Sequence, residues 1–368
     1  MYLDALQRHL SGLEREGRRR RLRDEPARAI YDFSSNDYLG LRCNPQIVAA
    51  LNDARVVGSS GARLLSGAAP EHARLEAALA EYTGRERALL FSSGYLAAIG
   101  TITALAPHFD CVYSDAGNHA SLIDGVRLSK RERVVYPHLE LGALARDHRR
   151  KLVVSESLFS MDGDQADPVA LLDALCPRDA LLIDEAHVFG LVGPQGAGSF
   201  AGFADPRLIV FGTLSKALGA NGGFVAGPAT LVDYLQNTAR TFIFDTAPPP
   251  AISAAATVAI SLARAADEAR ARLHAVARYA RAELVKAGFD IGASSSHIIP
   301  IIVGSDAAAV GLAARLLEHG ILAPAIRPPT VPVGTARLRV TLNAAHAPSD
   351  IKALIEGLLA CTTLAAFS

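Results

Sequence analysis

Seven short apolar runs, at 88–91, 111–114, 134–136, 152–155, 180–184, 208–212 and 223–226, constrain this chain most, because most are separated by helix-length segments. Strands joined through helices run parallel, and a parallel sheet is covered on both faces, so its strands read as unbroken apolar runs. In such sheets ligands bind at the carboxyl ends of the strands. The run at 223–226 follows its predecessor through a glycine-rich loop and is expected to pair antiparallel at a sheet edge. Half of the 368 residues are apolar, enough core for more than one average domain.

Around these runs, residues 1–23 read as helical, with the arginines at 18–21 as a water-facing run. Pro70 opens a helix whose Leu75, Ala78, Leu79 and Tyr82 form one buried stripe, and Gly84 ends it. The alanine-rich stretch 251–263 is too short to span a bilayer and reads as a packed helix. A long helix over 262–286 leads to a strand at 297–303, a helix at 306–319 and an alternating strand at 335–342. In that last strand Leu338, Val340 and Leu342 face inward and Arg337, Arg339 and Thr341 face outward. The expected organisation is a helical segment over 1–40, a large domain over 41–268 and a smaller α+β domain over 269–368.

Lys+Arg and Asp+Glu both count 37, so no net charge recruits nucleic acid or an anionic membrane. Cys43, Cys111, Cys176 and Cys361 form no Cys-x-x-Cys pair and read as buried or incidental thiols of a reducing compartment. The first residues carry charges and no signal-peptide core, so a cytoplasmic location is expected. Asp162-Gly163-Asp164 suggests a calcium loop, but residue 166 is alanine and no glutamate closes it, so no metal is expected. The glycine-rich stretch 193–199 lacks the lysine of a nucleotide-binding loop and reads as a turn.

Three strand ends carry candidate chemistry. Thr213-Leu214-Ser215-Lys216 closes one run and fixes a single amine before Gly219, Gly222 and Gly223. A partly desolvated lysine loses its proton readily and forms a Schiff base with an aldehyde. By itself a lysine at a loop start reads first as a solvated surface charge. Asp184 ends the run 180–184, with His187 three residues on. Its carboxylate is costly to bury without a cation. A protonated pyridine nitrogen about 3 Å away would supply about 5 kcal/mol at an effective dielectric of about 20, before desolvation is charged against it. A helix cap and a satisfied structural histidine are the plainer readings of these two. Ser92-Ser93-Gly94-Tyr95 ends the first run and opens a helix, whose free N–H groups and dipole suit an anion. Such helix starts are common. His119, after Asn118, and Ser160, after Phe159, are further candidates, read otherwise as a capping histidine and a loop serine.

In this order, Ser-Gly-Tyr at 93–95, Asp-Glu-Ala-His at 184–187 and Thr-Leu-Ser-Lys at 213–216 resemble the pyridoxal-phosphate enzymes of the aspartate-aminotransferase fold. Phe33-Ser34-Ser35-Asn36-Asp37-Tyr38-Leu39-Gly40, Asn118-His119-Ala120-Ser121, Phe159-Ser160-Met161-Asp162-Gly163-Asp164 and the block from Arg327 to Arg339 are similar to the α-oxoamine synthases. The block Arg327-Pro328-Pro329-Thr330-Val331-Pro332 is most similar to that family's biotin-pathway branch. The resemblance covers nearly the whole chain.

The resemblance implies an α/β fold of type I, with a seven-stranded, mainly parallel sheet flanked by helices and a smaller C-terminal α+β domain. It implies pyridoxal 5'-phosphate held on Lys216, with Asp184 at the ring nitrogen, His187 at the phenolic oxygen, and Thr213, Gly94 and Tyr95 at the phosphate. His119 would stack on the ring and position substrate, and Ser160 would lie near the cofactor. Arg327 would clamp the amino-acid carboxylate, with Thr330, Asn36 and Arg23 on the substrate side. The implied reaction joins L-alanine to a pimeloyl thioester of coenzyme A or a carrier protein, with loss of carbon dioxide. A homodimer is implied, Thr246 reaching the neighbouring subunit's phosphate. Phe244 stands where some relatives have tyrosine and removes a hydroxyl. Sister synthases using glycine or serine, an aminotransferase, and a non-catalytic binding protein are the alternatives.

Overall fold

The computed structural model describes residues 1–20, 22, 31–54 and 56–363. They group into two compact units, Asp37–Phe159 with Gln165–Arg270, and Met1–Asn36 with Ser160–Asp164 and Ala271–Ser368.

In the larger unit β1 (Arg87–Phe91), β2 (Cys111–Asp115), β3 (Glu132–Tyr136), β4 (Lys151–Glu156), β5 (Ala180–Asp184), β6 (Leu208–Thr213) and β7 (Gly223–Gly227) form one sheet. Their spatial order is β1-β7-β6-β5-β4-β2-β3. Pairs among β2 to β6 are parallel, whereas β7 is antiparallel to both neighbours. The sequence put β7 at an edge. It lies one strand in, because β1 pairs along it from Arg87–Gly227 to Phe91–Gly223 and takes the edge itself.

The unbroken apolar runs are explained by burial on both faces. Val153, Leu181, Ile183 and Val210 point into one core cluster, while Leu152, Val154, Leu182, Ile209 and Phe211 point into the other. Each such side chain contributes about 1.5–3 kcal/mol when fully buried. The helix Pro70–Thr83 starts on its proline, buries Leu75, Leu79 and Tyr82, and stops where Gly84 takes a φ of 66°. The alanine-rich stretch forms the helix Pro250–Arg264, buried along Ala255, Ala256, Ala259, Ile260 and Ala263. The single helix expected over 262–286 is two, the second being Asp267–Lys286. Arg270 donates to the carbonyls of Ala263 and Arg264, satisfying the end of the first helix at the break.

In the smaller unit β8 (Ile298–Gly304), β9 (Ala325–Ile326) and β10 (Ala336–Thr341) form an antiparallel sheet in the order β9-β10-β8. The helices Tyr2–Arg15, Asp306–Glu318 and Pro348–Thr363 belong to the same unit. The alternation in β10 suggested one open face, yet all six residues are buried. Residues 160–162 supply the reason. Arg337 Nη1 donates to Asp162 Oδ1 at 2.6 Å and to the Met161 carbonyl at 3.0 Å. Arg339 Nε donates to the Ser160 carbonyl at 2.7 Å. Among the described residues no helix is long and apolar enough to cross a membrane.

Candidate active site

Three adjacent strands end together in the larger unit, delivering Glu156 from β4, Asp184 from β5 and Phe211 and Thr213 from β6. They open onto a cavity of about 230 Å³, also lined by Gly94, Tyr95, His119, His187 and Lys216. The carboxyl ends of parallel strands thus bring seven sequence candidates together, Gly94, Tyr95, His119, Asp184, His187, Thr213 and Lys216.

Lys216 follows β6 on the loop that Gly219 and Gly222 let turn back into β7. Its Nζ lies 2.8 Å from His187 Nε2, and His187 Nδ1 lies 2.6 Å from the Tyr38 hydroxyl. With the amine donating to Nε2, the imidazole proton sits on Nδ1 and is donated to Tyr38. The amine is held in place at the cavity wall.

The acid side is crowded. Asp184 Oδ1 accepts the Ala186 N–H at 2.8 Å. Burial pushes its carboxyl above the ordinary value, and the Lys216 charge and that N–H pull it partly back. Glu156 is its register partner on β4. Burial, and then the charge of Asp184, raise the Glu156 carboxyl well above the ordinary value, against the N–H of His119 and the Lys216 charge. Two buried carboxyls facing one amine leave room for a further cation.

The helix α1 (Gly94–Leu105) starts at the cavity wall, and its first turn could hold an anion. Ser93 Oγ caps the Leu96 N–H at 3.2 Å, and the first-turn amides of Gly94 and Tyr95 have no intrahelical acceptor. Thr213 Oγ1 lies 2.8 Å from Ser215 Oγ. Gly223 lets β7 come up against the start of α1, since a Cβ there would lie 2.5 Å from the N and Cα of Gly94. His119 caps α2 (Ala120–Leu128), with Nδ1 2.8 Å from Ser121 Oγ, and its ring meets Tyr95 edge-on at 6.4 Å between centroids. His119 is thus a helix cap that also lines the cavity.

Thr246 is exposed and does not line the cavity, and Phe244, 69 % exposed, carries Arg240 over its ring at 4.7 Å. Ser160, Asn36, Arg327 and Thr330 fall in the smaller unit. There Ser160 is buried, Thr330 is exposed, and Arg327 Nη2 donates to the Arg19 carbonyl at 3.3 Å. Burial and the nearby Arg20 charge pull the Arg327 guanidinium below its ordinary value. Asn36 Oδ1 accepts both Arg339 Nη groups at 3.3 Å. Arg23 lies outside the described residues. Sequence reasoning missed Tyr38, Glu156 and Arg339 as site candidates. Tyr38 and Arg339 stand inside the quoted motifs, whereas a glutamate ending an apolar run was the only signal for Glu156.

Residues 28–358 match the model of the family described as aminotransferase class I and II. The chain is 43% identical over 376 residues to an 8-amino-7-oxononanoate synthase of Methylobacillus flagellatus, covering 96% of this chain and 95% of that one. It is 44% identical over 382 residues to the enzyme of the same name from Anaeromyxobacter dehalogenans, covering 97% and 95%. Among solved structures, a serine palmitoyltransferase from S. paucimobilis with bound PLP and myriocin superposes with a TM-score of 0.89 at 28% identity, covering 100% of this chain and 99% of that one. The crystal structure of an 8-amino-7-oxononanoate synthase from Francisella tularensis superposes with a TM-score of 0.80 at 27% identity, covering 92% and 99%.

Proposed function

The chain belongs to the aminotransferase class I and II family and, within it, to the 8-amino-7-oxononanoate synthases, and from that premise we propose that it condenses L-alanine with a pimeloyl thioester. The products are 8-amino-7-oxononanoate, carbon dioxide and the free thiol, with one proton taken up, and the cofactor is pyridoxal 5'-phosphate. The single observation that carries this reading is the convergence of Lys216, His187 and Asp184 on one cavity with the open start of α1.

The residues present fit that cofactor. The Gly94 and Tyr95 amides and the hydroxyls of Thr213 and Ser215 suit a phosphate. Asp184 suits a ring cation, for which its raised carboxyl is waiting, and His187 Nε2 faces the amine that would carry the ring. The chemistry supplied by the bound group is an electron sink for the carbon next to the substrate nitrogen.

Each remaining task falls to the chain. Asp184 holds its negative charge against the ring nitrogen. Lys216 Nζ, once neutral, removes the proton from Cα of alanine and hands it on at the decarboxylated carbon. His119 lies against Tyr95 at the cavity wall, placed to position the substrate. For the substrate carboxylate two guanidiniums compete. Arg327 is the residue that the family likeness favours. Arg339 is favoured by its surroundings, being buried with the neutral acceptors Ser160 and Asn36 and with no carboxylate among its described partners. Ser160 and Asn36 are read as supports of that carboxylate seat, and Thr330 as an acyl contact.

A homodimer is part of the reading. The larger unit exposes Val57 at 97 % and Leu65 at 81 %, and Phe244 and Thr246 stand open near one another in sequence, as a neighbouring subunit would require.

Purified protein supplied with L-alanine and pimeloyl thioester tests the reading. Equimolar thiol and carbon dioxide are expected. Turnover of glycine with acetyl thioester, or of serine with a long acyl thioester, but not of this pair, would move the chain to a sister reaction.

A further inference from the structure

Glu156 is a buried, cavity-lining acid that neither the family likeness nor the proposed chemistry uses. It is 2 % exposed, ends β4, and pairs in register with Asp184, which is 6 % exposed. Both line the same cavity. Its Oε1 accepts the backbone N–H of His119, the residue that caps α2 and faces Tyr95. Glu156 therefore stands beside the acid in the sheet and holds the backbone of the histidine.

Two buried carboxyls in register on neighbouring strands do not readily both ionise. The charged groups around Glu156 are Asp184 on β5, Lys216 beyond β6, and Asp115 on β2, whose Oδ1 lies 2.7 Å from His138 Nδ1. Lys216 is the cation that favours ionisation there, and it favours Asp184 as well. Each acid accepts one backbone N–H, His119 for Glu156 and Ala186 for Asp184, but Lys216 favours Asp184 ahead of that hydrogen bond and Glu156 only after it, so the pair's negative charge settles on Asp184.

We infer that Glu156 is a positioning residue that works in its protonated, uncharged form: its carbonyl oxygen holds the N–H of His119, and its neutrality reserves the charge of the carboxyl pair for Asp184. The inference rests on the proposed cofactor chemistry for its purpose and on the β4–β5 register for its physics. A glutamine has the same shape, the same carbonyl acceptor and no charge. It is the mimic of the state in question.

The experiment compares wild type, Glu156→Gln and Glu156→Ala as full-length protein, with two readouts. The first is the pH dependence of unfolding after pyridoxal 5'-phosphate has been released from the lysine with hydroxylamine and dialysed away. An acid that keeps its proton in the folded state but loses it on unfolding makes stability fall as pH rises above its unfolded value, by up to about tenfold in the unfolding constant per pH unit. Between about pH 5 and pH 8 the wild type should lose stability more steeply than Glu156→Gln by close to one proton. Parallel slopes would mean an ionised Glu156 and overturn the inference. The second readout is the affinity for pyridoxal 5'-phosphate. Glu156→Gln should bind within about threefold of wild type, and Glu156→Ala about tenfold more weakly, because the His119 N–H loses its acceptor. A Gln variant as weak as the Ala variant overturns the inference, as does an Ala variant as tight as wild type. Should Glu156→Ala not fold, the Gln comparison decides. If wild type itself takes up no pyridoxal 5'-phosphate, the proposed function fails while the unfolding slopes still judge the carboxyl pair.

Discussion

Lys216 Nζ stands 2.8 Å from His187 Nε2, and the far side of the same imidazole stands 2.6 Å from the Tyr38 hydroxyl. The amine that follows β6 is thereby aimed by a residue following β5 and by one that precedes the sheet altogether. Replacing Lys216 with alanine should remove covalent retention of pyridoxal 5'-phosphate and cut turnover by about a thousandfold, within the range a positioned proton-transfer group contributes. Dialysis followed by visible absorbance reads the first effect and thiol release the second.

Tyr38→Phe removes only the hydroxyl beyond His187. A neutral hydrogen bond of that kind is worth about 1 kcal/mol, so a loss of about fivefold in kcat/KM is expected with the cofactor retained. A loss of more than about a hundredfold would give Tyr38 a direct part in the reaction.

The two candidate carboxylate clamps separate by kinetics. Arg339→Lys forfeits the planar fork that meets a carboxylate with two parallel bonds, so KM for alanine should rise by tenfold or more if Arg339 is the clamp. Under that assignment Arg327→Lys leaves KM for alanine within about threefold. The reverse pattern would return the role to Arg327, as the family likeness has it.

Gly223→Ala tests the phosphate seat through packing. The added methyl would lie 2.5 Å from Gly94 N and Cα. Relief requires α1 to lift from the sheet, at about 1–3 kcal/mol. Both a lowered melting temperature and weaker pyridoxal 5'-phosphate binding are expected, and an unchanged cofactor affinity would remove the start of α1 from the site.

Glu185 supplies a pH test away from the cavity. It is 1 % exposed, and burial pushes its carboxyl up to about 7 from an ordinary 4.5, against donors Ser157 Oγ at 2.7 Å and Phe200 N–H at 3.2 Å. The folded chain keeps a proton that the unfolded chain loses above about pH 4.5, so stability falls as pH rises to about 7, by up to about 3 kcal/mol. Glu185→Gln should remove that part of the slope, as chemical denaturation across the window would show.

The strands were legible because a β-strand buried on both faces needs every side chain apolar, as Leu181-Leu182-Ile183 displays. Asp184 and Lys216 were legible because each breaks such a run at its end. Arg337 and Arg339 were misread as an open face, since the atoms that satisfy them come from Asn36 and residues 160–162, far away in sequence. Glu156 went unnoticed for the same reason. Its meaning depends on register with Asp184, and register between β4 and β5 is a property of the sheet.

The most direct measurement is borohydride reduction of the protein loaded with pyridoxal 5'-phosphate, followed by peptide mapping by mass spectrometry. A single phosphopyridoxyl mass is expected on the peptide carrying Lys216. The same mass on Lys130, Lys151, Lys286 or Lys352 with Lys216 unmodified, or no adduct on any lysine, would contradict it.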